Sequence, residues 1–382
     1  MRAGALAAAA LSASCAGPAP AAPERADESA SASVSASVST SESAALASEV
    51  RSVGDWDLQQ LGDAYTNFKA VGAMDRHVFA LVDFGGGGVE LDERTVDGWT
   101  PHPLARGLGE GTSSAARGLF VGRTSLAVLS NQFHEGVYTT HLHSRSLSGT
   151  SFTDATLRTG CDGPFPANQR LVYFDETRTV VVVECSPSER DSEAYVLDLR
   201  KQGETRVRLP FSTLRGLNVV DDEGRVHVFD EHRGEPDGHV IVSGERVVRE
   251  KLEPDERARA VGVCGGDLFA VFEGPSGRSL ARSSRDGWTK IAMPSKGAFA
   301  NDVAFGPRCQ PFVAVDDFVT FRVGGEWVES SPVAISPRPG VPTRGAYIIS
   351  IAVTDDRLWA GVETSLDGAA PHAWVGAAPL RR

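Results

Sequence analysis

The chain has 382 residues, of which 23% are charged and 7% aromatic, and its formal net charge is −12. This length fits one large domain with a tail. The negative charge argues against general attraction to nucleic acid or anionic lipid. No apolar run reaches the ~18–20 residues that a membrane-spanning helix needs.

The N-terminus has the features of an export signal. Arg2 is a basic start, residues 3–11 form a short apolar run, and small residues precede Cys15. This arrangement resembles the signal peptide of bacterial lipoproteins, which implies cleavage before Cys15 and a lipid on its thiol. Ala16 follows the cysteine in place of aspartate. By resemblance to Gram-negative lipoproteins, this implies an outer membrane lipoprotein that faces the periplasm or the cell surface.

The alternative is a secreted protein whose ordinary signal is cut near Ala19-Pro20-Ala21. Residues 16–48 are almost entirely Ala, Ser, Pro, Glu and Val, a composition that buries too little apolar surface to fold. We therefore predict a signal peptide over residues 1–14, a lipidated cysteine with a disordered tether over 15–48, and a folded domain over 49–382.

Tryptophan recurs behind tight turns in the folded domain, at Trp56, Trp99, Trp288 and Trp327. A short β-like run lies on each side of these turns, and a second turn flanked by apolar runs follows. A repeat of about 45 residues built only of strands and turns is typical of a β-propeller.

Seven apolar hairpins fit the inner strands of such blades. They span residues 71–82, 119–129, 171–183, 219–229, 261–272, 303–315 and 348–361. Their continuous apolar runs suit strands that are buried on both faces. The sequence therefore predicts an all-β fold, a seven-bladed β-propeller.

Only six outer hairpins follow residue 62, and the last repeat lacks one. The segment from Gly54 to Leu61 looks like an isolated outer strand. We predict that it closes the ring by pairing with the last strand, near residues 373–377, because this pairing removes a free sheet edge.

The turns before the tryptophans resemble a degenerate Asp-box. Residues 284–288 read Ser-Arg-Asp-Gly-Trp, a shortened form of the turn in sialidase-type propellers, within a repeat architecture that is also WD40-like. The resemblance implies a structural turn rather than a catalytic one. It implies that Trp288 packs between outer strands.

Four cysteines besides Cys15 remain in this exported chain, so we expect disulfides. Three pairings are possible. The propeller frame favours Cys264–Cys309, in inner turns of consecutive blades, and Cys161–Cys185, at the opposite face.

A basic residue stands at the entry to most inner strands. The six are Lys69, Arg117, Arg170, Arg215, Arg259 and Arg344, whereas the remaining blade has Asn301-Asp302 there. Converging at the channel mouth, these cations would bind a carboxylate, sulfate or phosphate. The alternative is that each pairs with a nearby carboxylate, such as Asp162 or Asp302, and holds the blades in register.

The remaining motifs give weaker indications of function. His134-Glu135 and His141-x-His143 are the only histidine cluster that the sequence suggests, and the acidic segment 231–237 lacks EF-hand spacing. A Gly-x-Ser-x-Gly elbow is absent. We predict no metal, no cofactor and no catalytic residue.

The sequence thus favours an envelope-anchored binding or scaffold module for a protein, a glycan or a small anionic ligand at the channel mouth. Contact with the membrane is expected only through the lipid, and no nucleic acid partner is expected. The alternative function is a glycan-active hydrolase or lyase of the sialidase-like kind. A sialidase would need a Tyr–Glu pair and an Arg-Ile-Pro-like start, and the start is absent from this chain.

Overall fold

The structure is a computed structural model. It describes residues 49–62, 66–84, 87–105, 113–134, 137–160, 168–185, 193–210, 217–230, 238–252, 256–284, 287–294, 296–297, 299–332, 346–364 and 372–382. The predicted signal peptide, Cys15 and the tether lie outside these ranges, as do Cys161, Arg215 and Arg344. No helix within the described ranges has the length and apolarity needed to cross a membrane.

The described residues form 29 β-strands and one 3₁₀ turn, Pro307–Cys309. Strands β1 (Ser52–Val53) and β2 (Asp57–Leu61) come first. Six blades of four strands follow, each running from its inner strand outward. Blade 1 consists of β3 (Thr66–Met74), β4 (His77–Phe84), β5 (Gly88–Thr95) and β6 (Gly98–Ala105), blade 2 of β7 (Ser113–Val121), β8 (Ser125–His134), β9 (Val137–Ser146) and β10 (Thr153–Leu157), and blade 3 of β11 (Asn168–Phe174), β12 (Arg178–Cys185), β13 (Glu193–Arg200) and β14 (Gly203–Arg208). Blade 4 consists of β15 (Leu217–Val220), β16 (Val226–Phe229), β17 (His239–Ser243) and β18 (Arg246–Glu250), blade 5 of β19 (Arg257–Cys264), β20 (Asp267–Gly274), β21 (Gly277–Ser284) and β22 (Gly287–Ala292), and blade 6 of β23 (Ala300–Phe305), β24 (Pro311–Val315), β25 (Phe318–Val323) and β26 (Glu326–Ser330). Blade 7 begins with β27 (Ala346–Val353), β28 (Arg357–Thr364) and β29 (His372–Arg381).

Each blade is an antiparallel sheet, and the seven inner strands contact one another in turn around a central channel. The last inner strand, β27, meets the first, β3, so the ring is closed. The predicted all-β, seven-bladed β-propeller is therefore confirmed.

The N-terminal segment completes blade 7. Strand β2 pairs antiparallel with β29, with Asp57 opposite Ala377 and Leu61 opposite Ala373, and β1 pairs with the end of β29. This is the predicted closure, and it gives β29 a partner on its outer side. Trp56, between β1 and β2, is only 7% exposed.

The core lies between neighbouring blades. The second and third strands of a blade carry continuous apolar runs, such as Val180–Val183, because neighbouring blades cover both faces of the sheet. One interface joins Val182 and Val196 of blade 3 to Val226 and Val240 of blade 4. The outer strands are more exposed, as in β18.

The tryptophans behind the turns differ in burial. Trp288 is half-buried and lies with its ring edge-on to Phe229 and Phe272, which belong to the second strands of blades 4 and 5. It therefore packs between two blades, against their second strands rather than between outer strands. Arg285 and Asp286 lie outside the described residues, so the Asp-box resemblance stays a prediction.

Six inner strands shift register by one residue against their second strands. The residues skipped by the pairing are Lys69, Arg117, Val172, Arg259, Asn301 and Ile349. A β-bulge re-aims the extra side chain and bends the strand. In this fold the bulges fall near the entry to the inner strands, where the channel opens.

Candidate functional site at the channel mouth

A cavity of about 530 Å³ lies where the inner strands begin, and we call it the channel mouth. Its described lining is polar at many positions, with Lys69, Arg117, Arg170, Asn168, Gln169, Glu184, Asn218, Asn301, Asp302 and Ser350. A second cavity of about 550 Å³ lies at the other end of the channel and has a more apolar lining, with Val121, Phe305 and Val353. The mouth is therefore the candidate site for a polar or charged ligand.

The bulges account for part of the basic pattern in the sequence. Lys69, Arg117 and Arg259 are each the skipped residue of an inner strand, and Asn301 holds that place in blade 6. Arg170 instead lies two residues before the skipped Val172. Of the six predicted cations, Lys69, Arg117 and Arg170 line the mouth, whereas Arg215 and Arg344 lie outside the described residues.

Arg259 does not line the mouth. Its Nε donates a hydrogen bond of 2.7 Å to Oε2 of Glu273, and its guanidinium lies 5.3 Å from the ring centre of Phe299. Glu273 also accepts a 2.9 Å hydrogen bond from Arg278. Arg259 is therefore engaged in an ion pair with Glu273.

Lys69 is also partly neutralised. Its Nζ lies 3.3 Å from Oδ2 of Asp83, a side chain of β4 that also accepts a 3.0 Å hydrogen bond from Asn67. Glu363 lies close by and accepts a 3.1 Å hydrogen bond from the backbone of Phe68. Burial raises the pKa of Glu363; the positive charge of Lys69 acts in the opposite direction.

Arg117 differs from these two cations. Its side chain is half-buried, and its Nε has no hydrogen-bond partner in the structure. Burial lowers the pKa of Arg117, and the charges of Asp83 and Tyr138 only partly offset this effect. A guanidinium that has lost water without gaining acceptors at every donor is stabilised by an anion.

Asp302 has a pKa that burial raises to about 6. Strongly raised carboxyl pKa values are common at catalytic sites. Here, however, Oδ2 accepts from Ser350 Oγ at 2.8 Å and from Ile351 N at 2.9 Å, and Oδ1 accepts from Val303 N at 2.8 Å. Ser350 Oγ also lies 3.3 Å from the backbone nitrogen of Val71, so Asp302 helps to join blades 6, 7 and 1.

Two histidines of the predicted cluster, His141 and His143, form hydrogen bonds with side chains of blade 2. His141 lies 3.1 Å from Asp154, and His143 lies 2.9 Å from Ser130 Oγ. Among the described residues, no three His, Cys, Asp or Glu side chains are grouped to hold a metal ion. Glu135 and the acidic segment 231–237 lie outside the described residues.

Blade 4 contains a second histidine cluster, so the view that blade 2 has the only one was wrong. His227 Nδ1 and His239 Nε2 lie 3.1 Å apart, and both residues are buried. Each histidine stands alone in the sequence, so no local motif marks the pair. The pair could have been found by predicting that β16 and β17 are the neighbouring second and third strands of one blade, because this pairing brings the two histidines together.

The disulfide Cys264–Cys309 is present, with a Cα–Cα distance of 5.6 Å. It joins the inner turns of blades 5 and 6, as predicted from the propeller frame. Cys185 is also disulfide-bonded, but its partner lies outside the described residues. The pairing Cys161–Cys185 therefore stays a prediction.

The chain is thus a seven-bladed β-propeller protein with a polar channel mouth, and solved β-propellers resemble it. The β-propeller domain of the Trilobed protease from Pyrococcus furiosus has a TM-score of 0.53 at 8% identity, covering 83% of this chain and 98% of that one. The Cps50 (Swd1) β-propeller domain from Myceliophteria thermophila has a TM-score of 0.52 at 12% identity, covering 84% and 99%. The phage phi92 endosialidase has a TM-score of 0.47 at 11% identity, covering 86% and 70%.

At sequence identities this low, the structural similarity shows the fold alone. No family model matches the sequence, and no curated protein matches it. A fold alone does not define a function, which depends on the chemistry of the residues at a site.

Proposed function

We propose that this protein is a binding module that takes a small anionic ligand at the channel mouth. The observation that supports the proposal is Arg117, a half-buried arginine beside a cavity of about 530 Å³ whose Nε has no hydrogen-bond partner. A carboxylate, sulfate or phosphate oxygen would supply the missing acceptor. Lys69 and Arg170 line the same cavity and add positive charge nearby.

Two carboxyl groups at or near the mouth favour binding over catalysis, because their oxygens are already engaged. Asp83 forms an ion pair with Lys69 and accepts a hydrogen bond from Asn67. Asp302 accepts three hydrogen bonds. A general base needs an oxygen within reach of the proton that it removes. Asp83 instead joins two strands of blade 1, and Asp302 joins blades 6, 7 and 1.

The binding test compares Arg117→Ala with the wild type by calorimetric titration with acetate, benzoate, glucuronate, sulfate and phosphate. We expect at least one of these anions to bind the wild type, and more weakly as salt is added. Arg117→Ala should lose about 1.5–3 kcal/mol of binding free energy, the usual size of a hydrogen bond to a charged group.

Arg208→Ala is the matched control, because Arg208 is an exposed arginine that pairs with Glu193 on an outer strand. It should bind as the wild type does. Equal affinity of Arg117→Ala and the wild type, or no binding of any of the five anions at millimolar concentration, contradicts the proposal.

We further propose that the propeller is exported and anchored through a lipid on Cys15. The support is the sequence around Cys15 and the 15–48 tether composition. The wild type should then fractionate with the outer membrane, and Cys15→Ala should be released as soluble protein. Equal membrane association of the two proteins contradicts lipidation at this residue.

A further inference from the structure

A continuous chain of hydrogen bonds crosses blade 4 from its inner turn to its outer strand. Asp221 Oδ2 lies 3.0 Å from His227 Nε2, His227 Nδ1 lies 3.1 Å from His239 Nε2, and His239 Nδ1 lies 2.9 Å from Glu250 Oε2. The two imidazoles are nearly inaccessible, at 4% exposure for His227 and 0% for His239. All four ring nitrogens are thus committed to this chain.

The number of protons in the chain follows from its three hydrogen bonds. An ionised carboxylate only accepts, and a neutral imidazole has one N–H. Two neutral imidazoles therefore supply two protons for three hydrogen bonds. The complete chain needs a third proton, which makes one of the two histidines an imidazolium between two carboxylates.

Both carboxyl groups are held in the ionised form. Although burial raises the pKa of Asp221, hydrogen bonds from His227 and Arg225 bring it below its usual range. The hydrogen bond from His239 lowers the pKa of Glu250. One imidazolium between two carboxylates is therefore the form in which every contact is favourable.

Binding of a fourth proton to the two imidazoles is unfavourable. Burial lowers the pKa of His227, and the neighbouring His239 lowers it further, against the raising effect of the hydrogen bond to Asp221. Two imidazolium rings would lie with their centres 5.3 Å apart and with two N–H groups pointing at each other. Loss of the third proton is also unfavourable, because it leaves two nitrogen lone pairs facing each other at 3.1 Å.

Several charged neighbours of the chain, among the residues that the structure describes, are engaged in ion pairs. Arg225 donates to Asp221 at 2.6 Å and pairs with Glu223 at 3.0 Å. From blade 5, aromatic rings face the histidines: Trp288 lies 5.9 Å from His239. Lys290 of blade 5 lies 5.8 Å from the ring centre of Phe272 and pairs with Glu256.

We propose that Asp221, His227, His239 and Glu250 form a proton-binding switch that makes the packing of blade 4 on blade 5 depend on pH. His239 stacks on Phe229 with ring centres 4.0 Å apart and also contacts Trp288, so a displaced imidazole disturbs this aromatic cluster. The cluster is intact while the chain holds one extra proton. It loosens when the chain gains a second extra proton or loses the first.

The experiment is a pH titration of the ¹⁵N-histidine-labelled wild type by long-range ¹H–¹⁵N NMR, which counts the N–H groups on each ring. His227→Gln and His239→Gln assign the signals. At pH 6.5, the ordinary histidine pKa, we expect the two rings to carry three N–H protons between them. We expect the third to be lost only as the pH rises further, because the two flanking carboxylates favour the imidazolium.

Glu250→Gln tests the cause of this retention. Glu250 is half-exposed on an outer strand, and glutamine keeps its shape but removes one of the two flanking charges. The midpoint should fall by about 1 pH unit. His141→Gln, which removes a histidine paired with Asp154 in blade 2, should leave the midpoint unchanged.

Two results would overturn the proposal. One is a wild type with only two N–H protons on the pair at pH 6.5. The other is a midpoint that Glu250→Gln does not move. The two histidine variants serve only to assign the signals, and the proton count itself is made on the wild type.

Discussion

Trp56 Nε1 donates a hydrogen bond of 2.8 Å to Ser330 Oγ, across 274 residues of sequence. Trp56 enters the closing strand of blade 7, whereas Ser330 ends the outer strand of blade 6. Gln310 of blade 6 adds a second attachment, because its side-chain amide donates to Val50 O and accepts from Val50 N, each at 2.8 Å. The N-terminal segment is therefore fixed to two blades rather than one.

Replacing Trp56 should open this attachment. Trp56→Ala should lower the free energy of unfolding by about 3–5 kcal/mol, the usual cost of truncating a buried aromatic ring. Trp56→Phe keeps most of the packing and should lose about 1 kcal/mol for the hydrogen bond to Ser330. Urea denaturation measures both, and equal stability of Trp56→Ala and the wild type would show that the closing segment is not part of the fold.

The disulfide Cys264–Cys309 should stabilise the ring at blades 5 and 6. It closes a loop with a sequence separation of 45. The chain-entropy estimate gives about 4 kcal/mol for a loop of this length. The double variant Cys264→Ser/Cys309→Ser should lose a stability of this order in denaturant titrations under oxidising conditions. A loss below about 1 kcal/mol would mean that the inner turns hold these blades together without the bond.

Asp302 should give a stability difference that depends on pH. Its folded-state pKa is raised to about 6 from 3.8, so the folded protein binds this proton more tightly than the unfolded chain does. The resulting stabilisation is present below the unfolded-state pKa and is lost as the pH rises through about 6. Asp302→Asn removes the titrating group while keeping its shape.

The measurement is the unfolding free energy of the wild type minus that of Asp302→Asn, from about pH 4.5 to about pH 7.5. The difference should fall as the pH rises. A difference that stays constant or rises over this range would show that the hydrogen bonds from Ser350 and Ile351, rather than burial, control the carboxyl.

Gly361 should not tolerate a side chain. A Cβ added there would lie 1.8 Å from Cε1 of Phe68, where blade 7 packs on blade 1. Gly361→Ala should therefore destabilise the protein by about 1–3 kcal/mol, as overpacking usually does. Gly149→Ala is the control, since its nearest contact would be an ordinary 3.4 Å.

Phe68→Leu should relieve part of the cost of Gly361→Ala, because it removes the ring atoms that overlap. A double-mutant cycle by thermal denaturation reports this coupling. Strict additivity of the two substitutions would mean that the backbone of blade 7 moves instead of the ring.

Much of the fold could be predicted from the sequence because its signals are local. Each blade repeats apolar runs and turns, and Trp56 repeats the position of Trp99, so the number of blades and the closing strand follow from counting. The same frame placed Cys264 and Cys309 in neighbouring inner turns. These predictions depend on strand order alone.

The mouth could be predicted only in part, because side-chain partners there come from other strands. Arg117 and Arg259 occupy the same bulge position, and the sequence does not distinguish them. Arg259 forms a hydrogen bond with Glu273 and lies over the ring of Phe299, whereas Nε of Arg117 has no hydrogen-bond partner. The contact between His227 and His239 likewise depends on how two strands are paired.

The pairing of β2 with β29 has a consequence for how the protein folds. Gln60 lies 3.2 Å from His372, although 312 residues separate them. Blades 1 to 6 are each built from neighbouring hairpins and can form as soon as their own residues are available. Blade 7 needs two distant segments to meet, and contacts of such long range are slow to form. Ring closure is therefore expected to be the late step of folding, and a circular permutant that joins β29 directly to β1 would turn this slow encounter into a local one.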